Sequence, residues 1–255
     1  MQVKDSVAVI VGGASGMARA TAFDLAERGA KIAIFDLPSS EGEKVAAQIG
    51  DGTLFVPLDV TDHEAVEAAI DRVVDELGAI HIGVNVAGGG AARRTISKKG
   101  PHPIDEFRRV VELNLIATFN LVRLQADRMT RNEPNEDDER GVIINTASIA
   151  AFEGQIGQVA YAAAKSGIVG MTFTAARDLG SLGIRVVAIA PSLFDTGLTK
   201  LAPDDMKAAL VRDAAFPKRM GKPEEFARLA RAIVETPMLN GTTIRLDAGQ
   251  RFAPR

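Results

Sequence analysis

The sequence predicts an α/β protein built on a doubly wound parallel sheet. Short β-branched apolar runs alternate with longer segments of helical periodicity along the 255 residues, a pattern typical of parallel sheets flanked by helices. Several of these runs are apolar almost throughout, as strands covered on both faces must be. A glycine-rich turn follows the first run directly and opens the first helix.

This alternation predicts the strands and helices in order. The predicted strands are 7–11, 31–36, 53–59, 81–87, 141–147, 184–190 and 242–247. The predicted helices are 16–28, 40–49, 62–77, 105–130, 158–180 and 223–236. Units of this kind connect by right-handed crossovers. No Pro/Ser-rich linker divides the chain, so residues 1–255 are predicted to form a single domain.

Two stretches depart from the regular alternation. Residues 131–141, RNEPNEDDERG, are strongly charged and predict a solvated surface loop. Residues 192–222 are less regular and follow a strand end, which predicts a flexible lid over a ligand.

Composition excludes several classes of function. A net charge of −3 with 46% hydrophobic residues indicates a globular protein with no global attraction for nucleic acid or anionic membranes. The absence of cysteine excludes disulfides, thiolate nucleophiles and sulfur-ligated metals. No run is long enough to span a membrane, and the N-terminus lacks signal-peptide features, so we expect a cytoplasmic protein. The three histidines are scattered and predict no metal site: His63, His81 and His102.

The glycine turn GGASGMARA indicates a Rossmann-type dinucleotide site. Gly12 and Gly16 bracket the turn, and Ala18 stands where a third glycine often occurs. Glycine lets the backbone approach a pyrophosphate, whose charge then faces the free N–H groups of the helix N-terminus.

Asp36 indicates which dinucleotide is bound. It ends the second strand, 20 residues after Gly16. A carboxylate there accepts hydrogen bonds from the adenosine ribose hydroxyls and repels a 2′-phosphate. The sequence therefore predicts NAD rather than NADP.

Two more strand ends fall on the same rim, because ligands bind at the carboxyl ends of strands in open α/β sheets. Asp59 and Val60 close the third strand and are suited to hold an adenine. The fourth strand closes with small residues that leave room for the cofactor: Asn85, Val86, Ala87 and Gly88. Each feature alone is ordinary turn chemistry, but their coincidence favours a dinucleotide.

The only tyrosine of the chain indicates acid–base chemistry. Tyr161 and Lys165 share a helix face at positions i and i+4, and a nearby ammonium favours the phenolate. Ser148, 13 residues before Tyr161, can stabilise charge on a substrate oxygen. Asn114 lies mid-helix, where an amide has little structural use, and can hold a water that connects the lysine to solvent. Singly, each of these residues can equally be a surface or packing residue.

These motifs together resemble the short-chain dehydrogenase/reductase family over essentially the whole chain. The resemblance implies hydride transfer between a nicotinamide and a secondary alcohol or ketone. It implies that Tyr161 is the acid–base and that Ser148 positions the substrate oxygen. It also implies that Lys165 binds ribose and lowers the tyrosine pKa, and that Asn114 belongs to a proton relay.

Longer segments, among them GVIINTASIAAFEGQIGQVAYAAAK, IAPSLF and FPKRMG, are similar to a branch of the family that acts on 3-hydroxyacyl-CoA. That resemblance implies a homotetramer and substrates from short acyl-CoA thioesters to hydrophobic secondary alcohols. It implies NAD contacts beyond the strand ends already given, at Ser15, Met17, Tyr161, Lys165, Pro191, Phe194 and Thr196.

Four positions depart from the family pattern. Val11 replaces a threonine, Ala18 a glycine and Val86 an asparagine, and we expect modest effects because backbone contacts can survive them. Ser192 replaces a glycine and is expected to change the lid conformation, because glycine permits backbone angles that serine does not.

Other functions remain open at this point. A hydroxysteroid or other secondary-alcohol dehydrogenase would use the same machinery. A 3-oxoacyl-carrier-protein reductase usually requires NADPH, which Asp36 disfavours. A non-catalytic dinucleotide sensor or scaffold would not need Ser148, Tyr161 and Lys165 together.

The segment AARRTISKKG after the fourth strand bears on the choice of substrate. Its four cations, Arg93, Arg94, Lys98 and Lys99, are either a solvated loop or a contact for coenzyme A phosphates at the catalytic rim.

Overall fold

The computed structural model describes residues 1–50, 52–90, 92–197, 203 and 208–253. The strands are β1 Val7–Val11, β2 Lys31–Asp36, β3 Leu54–Pro57, β4 Ile82–Asn85, β5 Ile96–Ser97, β6 Gly100–Pro101, β7 Gly141–Thr146, β8 Ile184–Pro191 and β9 Thr243–Leu246. The helices are α1 Gly16–Ala26, α2 Gly42–Ile49, α3 His63–Leu77, α4 Ile104–Val111, α5 Ala117–Met129, α6 Val159–Gly180 and α7 Pro223–Glu235.

Seven of the nine described strands form one parallel sheet, in the order β3-β2-β1-β4-β7-β8-β9. In the register, Val11 at the end of β1 lies opposite Phe35 of β2 and Asn85 of β4. The carboxyl ends of the central strands therefore share one rim, as predicted. β5 and β6 form a small antiparallel hairpin apart from the sheet.

Alternate residues of each strand enter two separate cores, because side chains alternate across a strand. On β1, Ala8 and Ile10 face a core that includes Phe226 of α7, whereas Val9 and Val11 face a core that includes Ile70 of α3. The sheet is thus covered on both faces. This burial explains why its strands are continuously apolar rather than alternating.

One predicted helix is interrupted. The stretch predicted as a helix at 105–130 is α4, a π-helical turn at Glu112–Ile116, and then α5. Such a widened turn frequently occurs at a functional site, and this one carries Asn114.

The charged stretch 131–141 is not wholly the solvated loop that its composition predicts. Glu139 is buried, and its Oε1 accepts a hydrogen bond of 2.8 Å from Nε of buried Arg185. Asn132 is also buried and donates to Ile80 O and Arg140 O. The prediction was wrong for these two side chains because their partners are distant in the sequence.

The predicted lid lies partly outside the described residues, which omit 198–202 and 204–207. Ser192 does not adopt a left-handed backbone conformation, and its N–H donates to Leu246 O at 3.1 Å. Serine is therefore accommodated at this position without the conformation that would require glycine.

Candidate active site

A cleft of about 380 Å³ runs along the carboxyl rim of the sheet. Its lining includes most of the predicted cofactor residues: Gly12, Ser15, Gly16, Met17, Asp36, Asp59, Val60, Val86, Ala87, Gly88 and Thr196. The structure thus brings residues from four strand ends and from the segment after β8 to one surface.

The glycine turn is shaped by close backbone approach. Gly12 has φ +82°, and a Cβ there would lie 3.1 Å from Ala87 N. Gly16 has φ +54°, and its Cβ would lie 3.1 Å from Thr196 Cγ2. Ser15 forms no side-chain cap at the start of α1. The first N–H groups of the helix are therefore free to meet a pyrophosphate.

Asp36 both faces the cleft and fixes the turn. Its Oδ2 accepts from Ala14 N at 2.9 Å, and its Oδ1 accepts from Leu37 N at 2.8 Å. These backbone bonds hold the carboxylate in one orientation at the cleft wall. A second carboxylate, Asp59, is held in the same way, since its Oδ1 accepts from the N–H and hydroxyl of Thr61.

The sequence analysis missed several residues of the lining. They are Phe35, Leu37, Leu58, Leu113 and Gly197. Each is next in the chain to a residue that was singled out. Their position at a strand end or helix turn could therefore have predicted them, because that position brings apolar neighbours to the rim as well as carboxylates and glycines.

Five predicted cofactor residues do not line the cleft: Tyr161 and Lys165 lie beside its end, and three others lie in the interior. The Asn85 side chain lies behind the cleft, where its Nδ2 donates to Asn145 Oδ1 at 2.9 Å and its Oδ1 accepts from Gln125 Nε2 at 2.9 Å. Phe194 packs edge-on against Phe226 with ring centroids 6.5 Å apart.

The third is Pro191, which is buried at the end of β8, where it pairs with Leu246. These departures have one cause: each residue found partners in the interior that no local pattern reveals.

Ser148, Tyr161 and Lys165 come together beside the cleft. Ser148 opens a short 3₁₀ helix, Ile149–Ala151, and its Oγ accepts from Ala150 N at 3.1 Å. The Ser148 hydroxyl lies near enough to the Tyr161 phenol to influence its pKa. Lys165 lies one turn after Tyr161 on α6, with Nζ 5.7 Å from the tyrosine ring centroid.

These groups border the end of the cleft formed by Gly88. A Cβ at Gly88 would lie 3.3 Å from Lys165 Nζ, and one at Gly90 would lie 3.1 Å from Tyr161 Cδ2. The absence of side chains at both glycines keeps the space in front of the phenol and the ammonium open. The structure thus places Tyr161 and Lys165 where the dinucleotide cleft ends.

Burial sets the proton affinities of both groups. Burial lowers the pKa of Lys165 to about 8, while its Nζ donates to Thr146 O at 2.7 Å. Burial raises the pKa of Tyr161, and the nearby Ser148 hydroxyl only partly opposes this. The sequence predicted a lowered pKa for Tyr161. With the protein's own groups alone the pKa of Tyr161 is raised, because loss of hydration outweighs the effect of the neighbouring polar groups.

Asn114 has a structural role, although the sequence predicted little structural use for an amide at this position. The residue is fully buried in the π-helical turn. Its Nδ2 donates to Gly89 O at 2.6 Å and to Val110 O at 2.9 Å, and its Oδ1 accepts from Gly89 N at 3.1 Å. The amide therefore fixes the glycine segment that borders the catalytic groups.

A second cleft, of about 470 Å³, is lined in part by Val159 and Ala162 of α6, which flank Tyr161 in the sequence. One wall is the loop from Gly154 to Val159, and the other is Arg94, Thr95 and Ile96. The two walls are joined by a hydrogen bond of 2.7 Å from Arg93 N to Gly157 O. The space is large enough for an acyl chain or a small ring system.

One of the four predicted cations, Arg94, lines this cleft. Arg94, Lys98 and Lys99 are exposed, and none has an ion-pair partner within the part of the chain that the structure describes. Lys98 and Lys99 form the turn of the β5–β6 hairpin. Arg93, in contrast, pairs with Glu106, so the segment presents three unpaired charges rather than four.

Among the described residues, no group of three or more histidine, cysteine or acidic side chains is placed to hold a metal ion. No helix among them is long and apolar enough to cross a membrane.

Comparisons with known proteins agree with this geometry. Residues 6–207 match the short chain dehydrogenase family. The chain is 47% identical to 3-hydroxyacyl-CoA dehydrogenase type-2 of Drosophila melanogaster over 254 residues, covering 99% of this chain and 100% of that protein.

Two solved structures are similar over the whole chain. The crystal structure of 3-hydroxyacyl-CoA dehydrogenase type-2 from Mycobacterium avium matches with TM-score 0.94 and 39% identity, covering 100% of both chains. A 7α-hydroxysteroid dehydrogenase complexed with NADH and 7-oxo glycochenodeoxycholic acid matches with TM-score 0.89 and 26% identity, covering 100% of this chain and 97% of that one.

Proposed function

The chain belongs to the short-chain dehydrogenase family, and from that premise we propose that it is an NAD-dependent (S)-3-hydroxyacyl-CoA dehydrogenase. It would interconvert the 3-hydroxy and 3-oxo thioesters. The observation that carries the proposal is the convergence of Ser148, Tyr161 and Lys165 at the end of the dinucleotide cleft. A second cleft is lined by Val159 and Ala162, which flank Tyr161 in the sequence, and by Arg94.

The residues of the first cleft fit a nicotinamide dinucleotide. Gly12 and Gly16 form a cradle that side chains would fill, and the uncapped start of α1 suits a pyrophosphate. Asp36 places a fixed carboxylate at the wall, which favours ribose hydroxyls and opposes a 2′-phosphate. We therefore propose NAD rather than NADP. When bound, the nicotinamide ring supplies hydride acceptance and donation.

The protein's own residues manage the proton and the substrate oxygen. Ser148 donates a hydrogen bond to that oxygen and stabilises charge developing on it. Tyr161 takes the hydroxyl proton during oxidation and returns it during reduction. Burial keeps the phenol protonated at neutral pH, which suits reduction. In oxidation the Lys165 ammonium stabilises the phenolate electrostatically.

The second cleft supports a thioester substrate. Its apolar wall, with Ile96, Ile156 and Val159, suits an acyl chain. Arg94 lines the cleft, and exposed Lys98 and Lys99 form the turn of the hairpin whose Ile96 also lines it. We propose that these cations contact the phosphates of coenzyme A, which would remain outside the pocket.

A hydroxysteroid or other apolar secondary alcohol is the second candidate substrate. The similarity to the 7α-hydroxysteroid dehydrogenase structure and the same apolar wall favour it. The homotetramer and the cytoplasmic location remain predictions from the sequence.

A turnover assay with matched substrates tests the proposal. Acetoacetyl-CoA and an uncharged cyclic ketone would each be reduced with NADH and with NADPH, and kcat/KM measured for the four combinations. We expect acetoacetyl-CoA with NADH to give the highest value. A preference for the uncharged ketone would favour the second candidate, and a preference for NADPH would contradict the assignment of Asp36.

A further inference from the structure

A partly buried ion-pair network reaches the substrate cleft from residues 245–252. Glu153 lies in the loop between Ser148 and Tyr161 and precedes the cleft-lining Gly154. Its carboxylate accepts two hydrogen bonds from Arg245, Nη1 to Oε1 at 2.8 Å and Nη2 to Oε2 at 3.1 Å. Both side chains are mostly buried, with 22% and 23% of their surfaces exposed.

The same carboxylate gathers further donors from the C-terminal segment. Phe252 N donates to Glu153 Oε2 at 3.3 Å, and Arg251 Nε lies 3.4 Å from Oε1. Burial raises the pKa of Glu153, but Arg245, Phe252 N–H and Arg251 outweigh it, so the pKa is lowered overall. The carboxylate is therefore charged at neutral pH, when it can hold these donors.

Arg245 connects Glu153 to a tight turn at the end of β9. Its Nε donates to Asp247 Oδ2 at 2.6 Å, and its Nη2 donates to Gln250 O at 3.1 Å. The guanidinium also lies 5.2 Å from the centroid of the Phe152 ring. Phe152 and Glu153, at the start of the cleft loop, are thus both fixed by one arginine.

The turn also holds residues 210–216, which belong to the predicted lid. Ala248 O accepts from Ala215 N at 3.0 Å and from Phe216 N at 3.1 Å. Gln250 Nε2 donates to Leu210 O at 2.9 Å, and Gln250 is 2% exposed. One turn therefore bonds to the cleft loop on one side and to residues of the predicted lid on the other.

We propose that Glu153 and Arg245 are positioning residues for the substrate, through which the turn 247–250 sets the cleft loop 152–158 relative to Tyr161. This inference rests on the proposed function, because the cleft is taken as the substrate site. Neither side chain touches the reacting atoms. Their effect is geometric, and small displacements of a substrate-binding wall reduce rates strongly.

The variant Glu153→Gln tests this with little change of shape. We expect KM for acetoacetyl-CoA to rise roughly tenfold, the scale of a lost charged hydrogen bond. KM for NADH should stay within about twofold, because the dinucleotide cleft shares no residue with the network. Arg245→Gln should raise the same KM at least as much, because it also removes the contacts with Asp247 and Gln250. The effects of the two changes should be less than additive in the double variant, since both remove the Glu153–Arg245 pair.

The matched control is Glu76→Gln, which removes the carboxylate of an exposed ion pair with Arg72 on α3. It should change neither KM. If Glu153→Gln fails to fold, Arg251→Gln removes the exposed member of the network, 61% exposed, and a smaller rise in the same KM is expected.

Two results would overturn the inference: an unchanged substrate KM, or equal increases in both KM values together with a lower melting temperature, which indicates a general loss of structure. The proposed function fails separately, if the wild-type protein does not turn over acetoacetyl-CoA. The same comparison would then be made with the uncharged ketone, so that the two failures remain distinguishable.

Discussion

Asn114 binds both backbone groups of Gly89, through Nδ2 to the carbonyl at 2.6 Å and through Oδ1 to the N–H at 3.1 Å. The π-helical turn brings this amide to the glycine segment, whose neighbour Gly88 lines the dinucleotide cleft. Through these two hydrogen bonds the Asn114 amide supports the backbone of the predicted cofactor site, in addition to its predicted role in a proton relay.

Asn114→Ala should therefore raise KM for NAD roughly tenfold and also lower kcat. The reason is that loss of two backbone contacts frees the Gly88–Gly90 segment, with each contact contributing about 0.5–1.5 kcal/mol. Steady-state kinetics with varied NAD measure this. Asn120→Ala is the control, because Asn120 is also buried on this helix but its Nδ2 has no partner among the described residues. A change in kcat alone would instead indicate the relay role only.

Tyr161→Phe should reduce turnover by roughly a hundredfold or more, the usual scale for a positioned acid–base group. NAD affinity should stay nearly intact, since the phenol borders the cleft without lining it. Dinucleotide binding followed by fluorescence, with turnover measured on the same sample, checks both statements. A variant that keeps most of its activity would show that the tyrosine is structural.

The lowered pKa of Lys165 predicts how stability depends on pH. In the folded protein its pKa is about 8, against 10.5 for the unperturbed side chain. Between these values the unfolded state binds more protons, so this group makes the free energy of unfolding rise with pH across that window. Lys165→Met has no such group. Its stability relative to the wild type should fall as pH rises from 7.5 to about 10, measured by urea unfolding at several pH values. A constant difference between the two proteins would contradict a buried, titrating ammonium.

Asp36 should determine the preference for NAD over NADP. Asp36→Asn removes the charge but leaves an oxygen that can accept from Ala14 N, so the glycine turn is retained. The NAD/NADP ratio of kcat/KM should shrink about tenfold or more, which requires only about 1.4 kcal/mol. Asp62→Asn is the control: Asp62 caps α3 through Ala65 N and does not line the cleft. Equal shifts in both variants would mean that net charge, not the position of Asp36, is responsible.

The fold and the cleft rim were predictable because their signals are local. A continuous apolar run such as VAVIV by itself indicates a buried strand. A parallel sheet brings the carboxyl ends of its strands to one rim. Asp36 and Gly12 could be placed on that rim from chain position alone.

The supports of the site could not be predicted in this way. Asn85 bonds to Gln125 and Asn145, 40 and 60 residues away, and Glu153 bonds to Arg245, 92 residues away. No periodicity or spacing encodes such pairs, so a polar residue at a strand end gives the same signal whether it faces the ligand or the interior. The direction of the Tyr161 pKa was missed for a related reason, because burial depends on the whole fold.

The choice of substrate gives the last prediction. Arg94, Lys98 and Lys99 are exposed near the second cleft, whereas Arg93 is engaged by Glu106. Changing the three exposed residues to glutamine should raise KM for acetoacetyl-CoA by roughly three- to a hundredfold. Exposed ion pairs contribute about 0.2–1 kcal/mol each, and the three act together on the coenzyme A phosphates. KM for an uncharged ketone should hardly change. The matched control changes Lys4, Lys31 and Lys44 to glutamine, which removes the same net charge from exposed positions on other surfaces.

Salt provides an independent measurement of the same contact. Raising the ionic strength from about 0.01 M to 0.15 M shortens the Debye length from about 30 Å to about 8 Å, so it should raise KM for acetoacetyl-CoA in the wild type. The effect should be much weaker in the triple variant, which lacks the attracting charges, and absent for the uncharged ketone with either protein. Equal responses of both substrates would show that these cations do not contact coenzyme A, and the hydroxysteroid or simple-alcohol candidate would then be the better account of the cleft.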